Sequence, residues 1–289
     1  MMVNVWDWRS NHIVASNKIS VKIKSISFAE NGQYFVTVGN RHVKFWYLDY
    51  HNDTTTNANN QNKLKNKFES LPLMGRNAIL GDQRNNYFCD VACDRRGSSG
   101  GNGGESTYAI TKSGLLCEFN NRRLLNKWVE LRVSFLFNDF WFSVNKKTNF
   151  LFFYQQTESA NCITLSQNLI CVGCSQGIIR CFRPQTLEFV TSLPRPHQLG
   201  IDIAKNFQSS RNESAKTMLM IKSMPKYPDT IAIVLDDLNK IVTAIYSDRS
   251  IYFWSFNDMK RIGKLNSFLY HSSCIWDIDV RIDFIDFFD

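Results

Sequence analysis

Short apolar segments that end in an aromatic residue recur along this chain. The segments are Val3–Trp6, His42–Trp46, Leu115–Phe119, Ile178–Phe182 and Ile251–Trp254. Four of the five follow a polar turn signal, and Trp6 lies 40 residues before Trp46. A period near 40 residues, built from short strands and polar turns, is typical of β-propeller blades. The pattern predicts a repeat array, because a single blade cannot bury both of its faces.

Runs with period-two apolar spacing, each bounded by turn residues, predict the remaining strands. They group into units of four: Ile13–Ser16, Lys24–Phe28, Tyr34–Val38 and His42–Leu48; Tyr87–Cys93, Tyr108–Thr111, Leu115–Phe119 and Lys127–Leu131; Asn161–Leu165, Leu169–Cys174, Ile178–Phe182 and Phe189–Leu193; Asp229–Leu235, Val242–Tyr246, Ile251–Phe256 and Arg261–Leu265. Tyr270–Val280 is predicted to begin one more unit. We therefore expect an all-β fold, an incomplete propeller of about four to five blades of four antiparallel strands over residues 1–289.

Two polar stretches interrupt this pattern. Residues 51–67 are rich in Asn, Thr and Lys, and residues 94–106 contain five glycines. Both are predicted to be loop inserts, because they have too little apolar surface to pack. Leu71–Gly81 is predicted to be a short connector, and a short helix is expected near Ser214–Ile221 within a less regular stretch.

Residues 133–156 have no blade pattern and contain nine aromatic residues. Asn138, Asp139 and Lys146-Lys147 interrupt the segment, so it does not have the uninterrupted apolar length of a membrane span. Without its 24 residues, the step from Phe119 to Phe182 would fall from 63 to 39, which restores the period. Two hypotheses stay open: a retained, translated intron, or a species-specific insert. Residues 281–289 are interpreted as a divergent tail.

Charge and cysteine content limit the function classes. The net charge is +8, but it is dispersed, so we expect a basic surface without a nucleic-acid partner. The eight cysteines lie mostly in apolar runs, as buried free thiols do. Together with an N-terminus that lacks a secretory signal, they favour a cytoplasmic location. Cys171 and Cys174 are three apart on a predicted strand, so they face opposite sides and could not bind one metal together without a turn between them. Packing thiols are the favoured interpretation, and a metal or redox site is the alternative.

Several residues are candidates for structural or binding roles. Asp248 and Trp254 resemble the propeller pair in which a turn aspartate and a strand tryptophan share one hydrogen-bonded network; the alternative is a surface aspartate beside an ordinary core tryptophan. The structural propeller positions are Trp6, Trp46, Phe119, Phe182, Asp248 and Trp254. The partner-binding candidates, near the predicted inner strands, are Arg41, Lys44, Arg180 and Arg249. No catalytic, cofactor or metal site is expected, since no histidine has a nucleophile or acid at a suggestive spacing.

One basic motif raises a membrane alternative. Asp94-Arg95-Arg96-Gly97 is similar to the Arg-Arg-Gly motif of phosphoinositide-binding propellers, in which two guanidinium groups clamp a phosphate. In those proteins an apolar residue precedes the motif, and here Asp94 takes that place. A solvated loop is therefore the other interpretation.

Longer strings carry a family resemblance. They are Val5–Trp8, Ile13–Lys18, Tyr34–Thr37, Gly39–Leu48, Ser113–Phe119, Arg122–Arg132, Leu193–His197, Tyr227–Ala232 and Tyr270–Trp276. Together these strings resemble the WD40 region of the mitogen-activated protein kinase-binding protein 1 / WD repeat-containing protein 62 family. The resemblance covers nearly the whole chain outside the polar inserts, residues 133–156 and the tail.

The resemblance implies a WD40 propeller that acts as a non-enzymatic scaffold or adaptor. Such proteins tether c-Jun N-terminal kinase pathway components and act at centrosomes and spindle poles. Protein partners are therefore implied, without a membrane span. The family's kinase-docking and dimerising segments lie in its C-terminal half, so kinase tethering is not expected to rest on residues of this chain. A phosphoinositide-binding propeller and a cryptic enzyme remain the alternatives, and homo-oligomerisation is left open.

Overall fold

The computed structural model describes residues 1–29, 31–48, 71–94, 106–131, 159–200, 226–258, 262–268 and 271–279. Among them, helical structure is limited to two 3₁₀ segments, Gly81–Asn85 and Ser175–Gly177. The strands are β1 (Met2–Asp7), β2 (His12–Lys18), β3 (Ile23–Phe28), β4 (Tyr34–Gly39), β5 (His42–Tyr47), β6 (Leu71–Pro72), β7 (Met74–Asn77), β8 (Phe88–Cys93), β9 (Thr107–Thr111), β10 (Leu115–Phe119), β11 (Leu125–Glu130), β12 (Ala160–Leu165), β13 (Ile170–Cys174), β14 (Ile179–Phe182), β15 (Phe189–Leu193), β16 (Thr230–Asp236), β17 (Ile241–Tyr246), β18 (Ile251–Ser255) and β19 (Gly263–Phe268).

These strands form four sheets of four strands and one of three. The four-stranded orders are β3-β4-β5-β7, β11-β10-β9-β8, β12-β13-β14-β15 and β16-β17-β18-β19, and the remaining sheet has the order β1-β2-β6. The predicted all-β class, with the repeated four-stranded antiparallel sheets of a partial WD40 propeller, is confirmed. Contacts divide the chain into two units, one of residues 1–109 and 117–127 and the other of residues 110–116 and 128–289.

The composition of the first predicted four-strand unit was wrong. Its fourth strand is β7, which was predicted to be part of a connector, and Trp46 of β5 pairs with Gly75 of β7. The strand predicted over Ile13–Ser16 instead belongs to β2, which pairs antiparallel with β1 and parallel with β6. Sequence pattern missed β7 because Met-Gly-Arg-Asn has no apolar alternation.

The strand predicted to begin near Tyr270 is also absent, since residues 271–279 form no strand. Other predictions lie outside the described residues: the insert 51–67, all of 94–106 except Asp94 and Ser106, the segment 133–156, the helix near Ser214–Ile221 and the tail 281–289. Asp94 donates its backbone N–H to the carbonyl oxygen of Ser106 at 2.9 Å, so the chain leaves and re-enters the sheet at one point.

The core of the second unit lies where two sheets pack face to face. The sheet β12–β15 contributes Cys171, Ile179 and Cys181, and the sheet β16–β19 contributes Val242 and Trp254. These side chains are buried, which removes from water the two apolar faces that neither sheet could cover alone. Because strands alternate their side chains between faces, the period-two spacing in the sequence decides which residues meet here.

A smaller core in the first unit joins the three-stranded sheet to the sheet β3-β4-β5-β7. Ala15 and Ile19 pack with Phe35, Trp46 and Leu73. Phe35 and Trp46 stack at 6.2 Å between ring centroids, the offset arrangement that aromatic pairs favour. This cluster places Trp46 at the base of the site described next.

Candidate functional site

Three side chains on β4 and β5 form a buried hydrogen-bonded triad. The indole Nε1 of Trp46 donates to Thr37 Oγ1 at 2.9 Å, and that oxygen lies 3.0 Å from Nε2 of His42. The Thr37 hydroxyl can accept from the indole and at the same time donate its own proton to an unprotonated His42 Nε2. Burial lowers the pKa of His42, and the nearby charge of Lys44 lowers it further. Geometry and electrostatics therefore agree on a neutral imidazole.

Lys44 packs against a face of the Trp46 ring. Its Nζ lies 4.1 Å from the ring centroid, within the range of a cation–π contact. Gly75 of β7 makes this contact possible, because a Cβ atom at that position would meet both the Lys44 stem and the Trp46 ring. A strand residue without a side chain thus leaves the space in which a lysine lies flat over a tryptophan.

A cleft of about 380 Å³ opens beside this triad. The loop after β2 contributes Ser20, β7 ends in it at Asn77, and the turn and strand around His42 form its third wall. Its polar and basic lining residues are Lys18, Ser20, Arg41, His42, Lys44 and Asn77, and we call this set the basic cleft. Ile19, Val21, Val43, Ala78 and Leu80 supply its apolar surface.

The basic cleft carries three positive charges and no described carboxylate lines it. Lys18 and Arg41 are exposed, and Lys44 is half-buried. None of the three forms an ion pair with a described aspartate or glutamate. Arg41 has φ of 53°, in the left-handed region, so the tight turn between β4 and β5 fixes where its side chain leaves the backbone. A concave surface with cations of one sign raises the local concentration of anionic groups.

A second polar network lies in the other unit, around Asp248. Its Oδ1 accepts from the backbone N–H of Ser250 at 3.2 Å and from the Ser250 hydroxyl at 2.7 Å. Its Oδ2 lies 2.6 Å from Nε2 of His197, and Nδ1 of the same ring lies 2.6 Å from the Tyr252 hydroxyl. A carboxylate can only accept hydrogen bonds, so Nε2 of His197 donates to Asp248.

Aromatic stacking extends this network to Trp254. Tyr252 stacks on Trp254 with 5.4 Å between ring centroids, and Trp254 Nε1 donates to the Tyr246 hydroxyl at 3.4 Å. Burial raises the pKa of Tyr246, which keeps the phenol neutral. The structure thus connects Asp248 to Trp254 through His197 and Tyr252. Sequence reasoning missed both intermediates; the signal available was a histidine four residues after the last strand of the preceding sheet, β15.

The predicted structural positions differ in burial. Trp46, Phe119, Phe182 and Trp254 all lie in the protein interior. Trp6, in contrast, is 53% exposed. Its strand β1 is the edge of the three-stranded sheet, with β2 as its sole partner among the described strands, so Trp6 does not occupy the buried position of the other aromatic residues.

The four partner-binding candidates divide between the two units, with Arg41 and Lys44 in the first and Arg180 and Arg249 in the second. Arg41 and Lys44 meet in the basic cleft, where the sequence had not placed Lys18. Arg180 is only 1% exposed, so the structure corrects its proposed role at a binding rim: its guanidinium is not accessible to a partner. Arg249 is exposed and donates from Nη1 to the carbonyl oxygen of Ser272 at 2.7 Å.

The cysteines have no arrangement suited to a metal. Cys171 faces Cys181 on the neighbouring strand, with the sulfur atoms 3.4 Å apart, rather than Cys174. Burial raises the pKa of Cys117 and of Cys174 to about 12, so both stay protonated at neutral pH. Among the described residues, no group of three or more His, Cys, Asp or Glu side chains could hold a metal ion. Across those same ranges, no helix has the length and apolar character to cross a membrane.

Comparison with known proteins gives close relatives across nearly the whole chain. It is 45% identical over 273 residues to mitogen-activated protein kinase-binding protein 1 of Homo sapiens, which covers 94% of this chain and 15% of the relative. It is 37% identical over 279 residues to WD repeat-containing protein 62 of Sus scrofa, and this match covers 96% of this chain and 15% of that relative. No family model matches the chain. The resemblance that the sequence strings predicted is confirmed, and the chain spans 15% of the length of these relatives.

Proposed function

We propose that this chain is a non-enzymatic scaffold or adaptor segment that binds other proteins. The observation that carries the proposal is the 45% identity, over 94% of this chain, to a relative whose name states that it binds a mitogen-activated protein kinase. The repeated four-stranded sheets support it, because rigid sheets present loops and clefts at fixed positions for a partner to contact. The basic cleft is one such surface.

A more specific proposal names the signalling pathway and the location in the cell. The chain would serve c-Jun N-terminal kinase signalling in the cytoplasm, at the centrosome or the spindle pole. Support for this form is the resemblance to the two relatives alone. The alternative, a phosphoinositide-binding propeller, rests on Arg95 and Arg96, which lie outside the described residues.

Binding to protein partners in cells is the sharpest test. The 289-residue chain is fused to a biotin ligase for proximity labelling, and the ligase alone is the control. We expect proteins of the c-Jun N-terminal kinase pathway to be labelled above the level of the control. Equal labelling by the fusion and by the ligase alone would contradict the proposed scaffold function.

Location is tested separately. A fluorescent fusion of the chain, expressed in dividing cells, is expected to concentrate at spindle poles above the level of the fluorescent protein alone. A uniform distribution through mitosis would remove the proposed location without touching the binding proposal.

A further inference from the structure

The geometry points to the basic cleft as a docking site for an acidic, partly apolar peptide segment of a protein partner. This inference rests on the proposed function and names the chemistry of a partner for one surface. Lys18, Arg41 and Lys44 line a single concavity of about 380 Å³. That volume lies within the range of small-ligand pockets, so it accommodates a few side chains and not a whole domain.

One charge of the basic cleft, that of Lys44, is held in place, and none of the three is paired with a described carboxylate. Lys44 cannot swing freely, because its stem lies between the Trp46 ring and the backbone of Gly75. Lys18 and Arg41 extend from separate segments on either side, and neither has a carboxylate partner among the described residues. A preorganised cation loses less side-chain freedom when an anion binds, which strengthens binding without further contacts.

Other lining groups favour a peptide over a phosphorylated headgroup. The exposed amide of Asn77 both donates and accepts hydrogen bonds, which matches the paired N–H and C=O groups of a peptide backbone. The oxygens of an ionised phosphate group, in contrast, only accept hydrogen bonds. The half-buried Val21 and Leu80 add apolar surface to the cleft, suited to aliphatic side chains that alternate with carboxylates. The ligand of the basic cleft is therefore a peptide that carries glutamate or aspartate.

The neutral state of His42 fits the same assignment. The ring is buried beneath the cleft with Nε2 engaged by Thr37, so it adds a hydrogen-bonding wall and no fourth full charge at neutral pH. The charged groups that line the cleft with it are Lys44 of its own strand, Arg41 in the turn directly before it, and Lys18 at the end of β2. Binding of carboxylates is thus carried by the lysines and the arginine.

The probe is a fluorescein-labelled peptide of four Glu-Leu repeats, and a Gln-Leu peptide of equal length is the neutral control. Fluorescence anisotropy follows its binding to the full 289-residue chain. In the test variant Lys18→Gln, Arg41→Gln and Lys44→Met are combined; Met keeps the aliphatic packing on Trp46 and removes the charge. The matched control combines Lys24→Gln, Arg84→Gln and Arg122→Gln, three exposed basic residues outside the basic cleft, with the same change in net charge.

We expect saturable binding of the acidic peptide, weakened about tenfold or more in the cleft variant and about twofold or less in the control variant, because nearby cations count more than distant, screened ones. Equal weakening by both variants would show non-specific attraction and overturn the proposal. Equal binding of the neutral peptide would do the same.

Two further experiments test lipid binding and provide a variant in case the triple variant does not fold. Vesicles of phosphatidylcholine with phosphatidylinositol 4,5-bisphosphate compete for the peptide only if the site binds headgroups; binding to the vesicles that blocks the peptide and is lost in the cleft variant would overturn the peptide assignment. If the triple variant fails to fold by circular dichroism, Lys18→Gln alone, at an exposed site, is expected to weaken peptide binding about threefold. A failed cleft test leaves partner binding by another surface intact, so the two proposals fail separately.

Discussion

Lys44 and Trp46, two residues apart on β5, are in cation–π contact, with the ammonium nitrogen 4.1 Å from the centroid of the indole. The same indole donates its N–H to Thr37 in the interior. One aromatic side chain therefore connects the hydrogen-bonded core of the sheet with the charged surface of the basic cleft. Any change that moves Trp46 is expected to affect both stability and the position of the lysine.

Gly75→Ala tests the packing that holds this pair. The added methyl group would meet the Lys44 stem and the Trp46 ring, so we expect a loss of about 1–3 kcal/mol in the free energy of unfolding. Urea denaturation followed by tryptophan fluorescence measures it. Gly263→Ala is the matched control, because β19 is also an edge strand and a Cβ there meets nothing within 4 Å. Equal effects of the two substitutions would contradict the proposed packing.

The pKa of His42 predicts how stability varies with pH. Its pKa is lowered in the folded chain from 6.5, so the unfolded chain binds the proton more readily. The contribution of neutral His42 to the free energy of unfolding is fully present above pH 6.5, and it decreases as the pH falls through and below that value. Chemical denaturation between pH 5 and 8 is expected to show this decline in the original chain.

His42→Gln provides the comparison for that measurement. The glutamine oxygen can accept from Thr37 as the imidazole does, but it does not titrate. The difference in unfolding free energy between the two proteins should therefore change with pH below about 6.5 and be constant above it. A constant difference across the whole range would contradict a lowered pKa for His42.

His197→Ala is expected to destabilise the second unit by about 1–3 kcal/mol, because it leaves Asp248 and the Tyr252 hydroxyl without their shared partner. Thermal and urea unfolding both measure the effect. Lys240→Gln is the control: it breaks an ion pair with Asp237 at 3.8 Å that is more exposed, and such pairs contribute less than about 1 kcal/mol. A larger effect at Lys240 than at His197 would refute the role given to the network.

Thiol reactivity tests the burial of the cysteines. Cys274 is exposed and the other seven cysteines are buried. Because the thiolate is the reactive form and burial holds the pKa of residues such as Cys174 at about 12, we expect one equivalent to react with 5,5′-dithiobis(2-nitrobenzoic acid) in the native chain. All eight should react in guanidinium chloride. Cys274→Ser should abolish the native reaction; a residual fast equivalent would show that one of the buried thiols is accessible.

The sequence by itself determined where most strands lie. Leu115–Phe119 and Phe189–Leu193 match the observed strands residue for residue, and other boundaries shift by one to three positions. The reason is local: period-two apolar spacing fixes which side chains share a face, and turn residues end the strand. The aromatic residues that close the segments became core positions, with Trp6 as the exception. Long collinear strings sufficed for the family resemblance.

Tertiary structure alone decided which strands and side chains meet. β7 returns to β5 across a long insert, and its four residues become a strand only because β5 offers an edge to pair with. His197 reaches Tyr252 from 55 residues away, and Lys18 joins Arg41 and Lys44 from a different sheet. Such contacts depend on the closure of long loops and on packing between sheets, which no local pattern encodes. The site was therefore visible in the sequence only as two separate basic residues, and the fold made it a cleft.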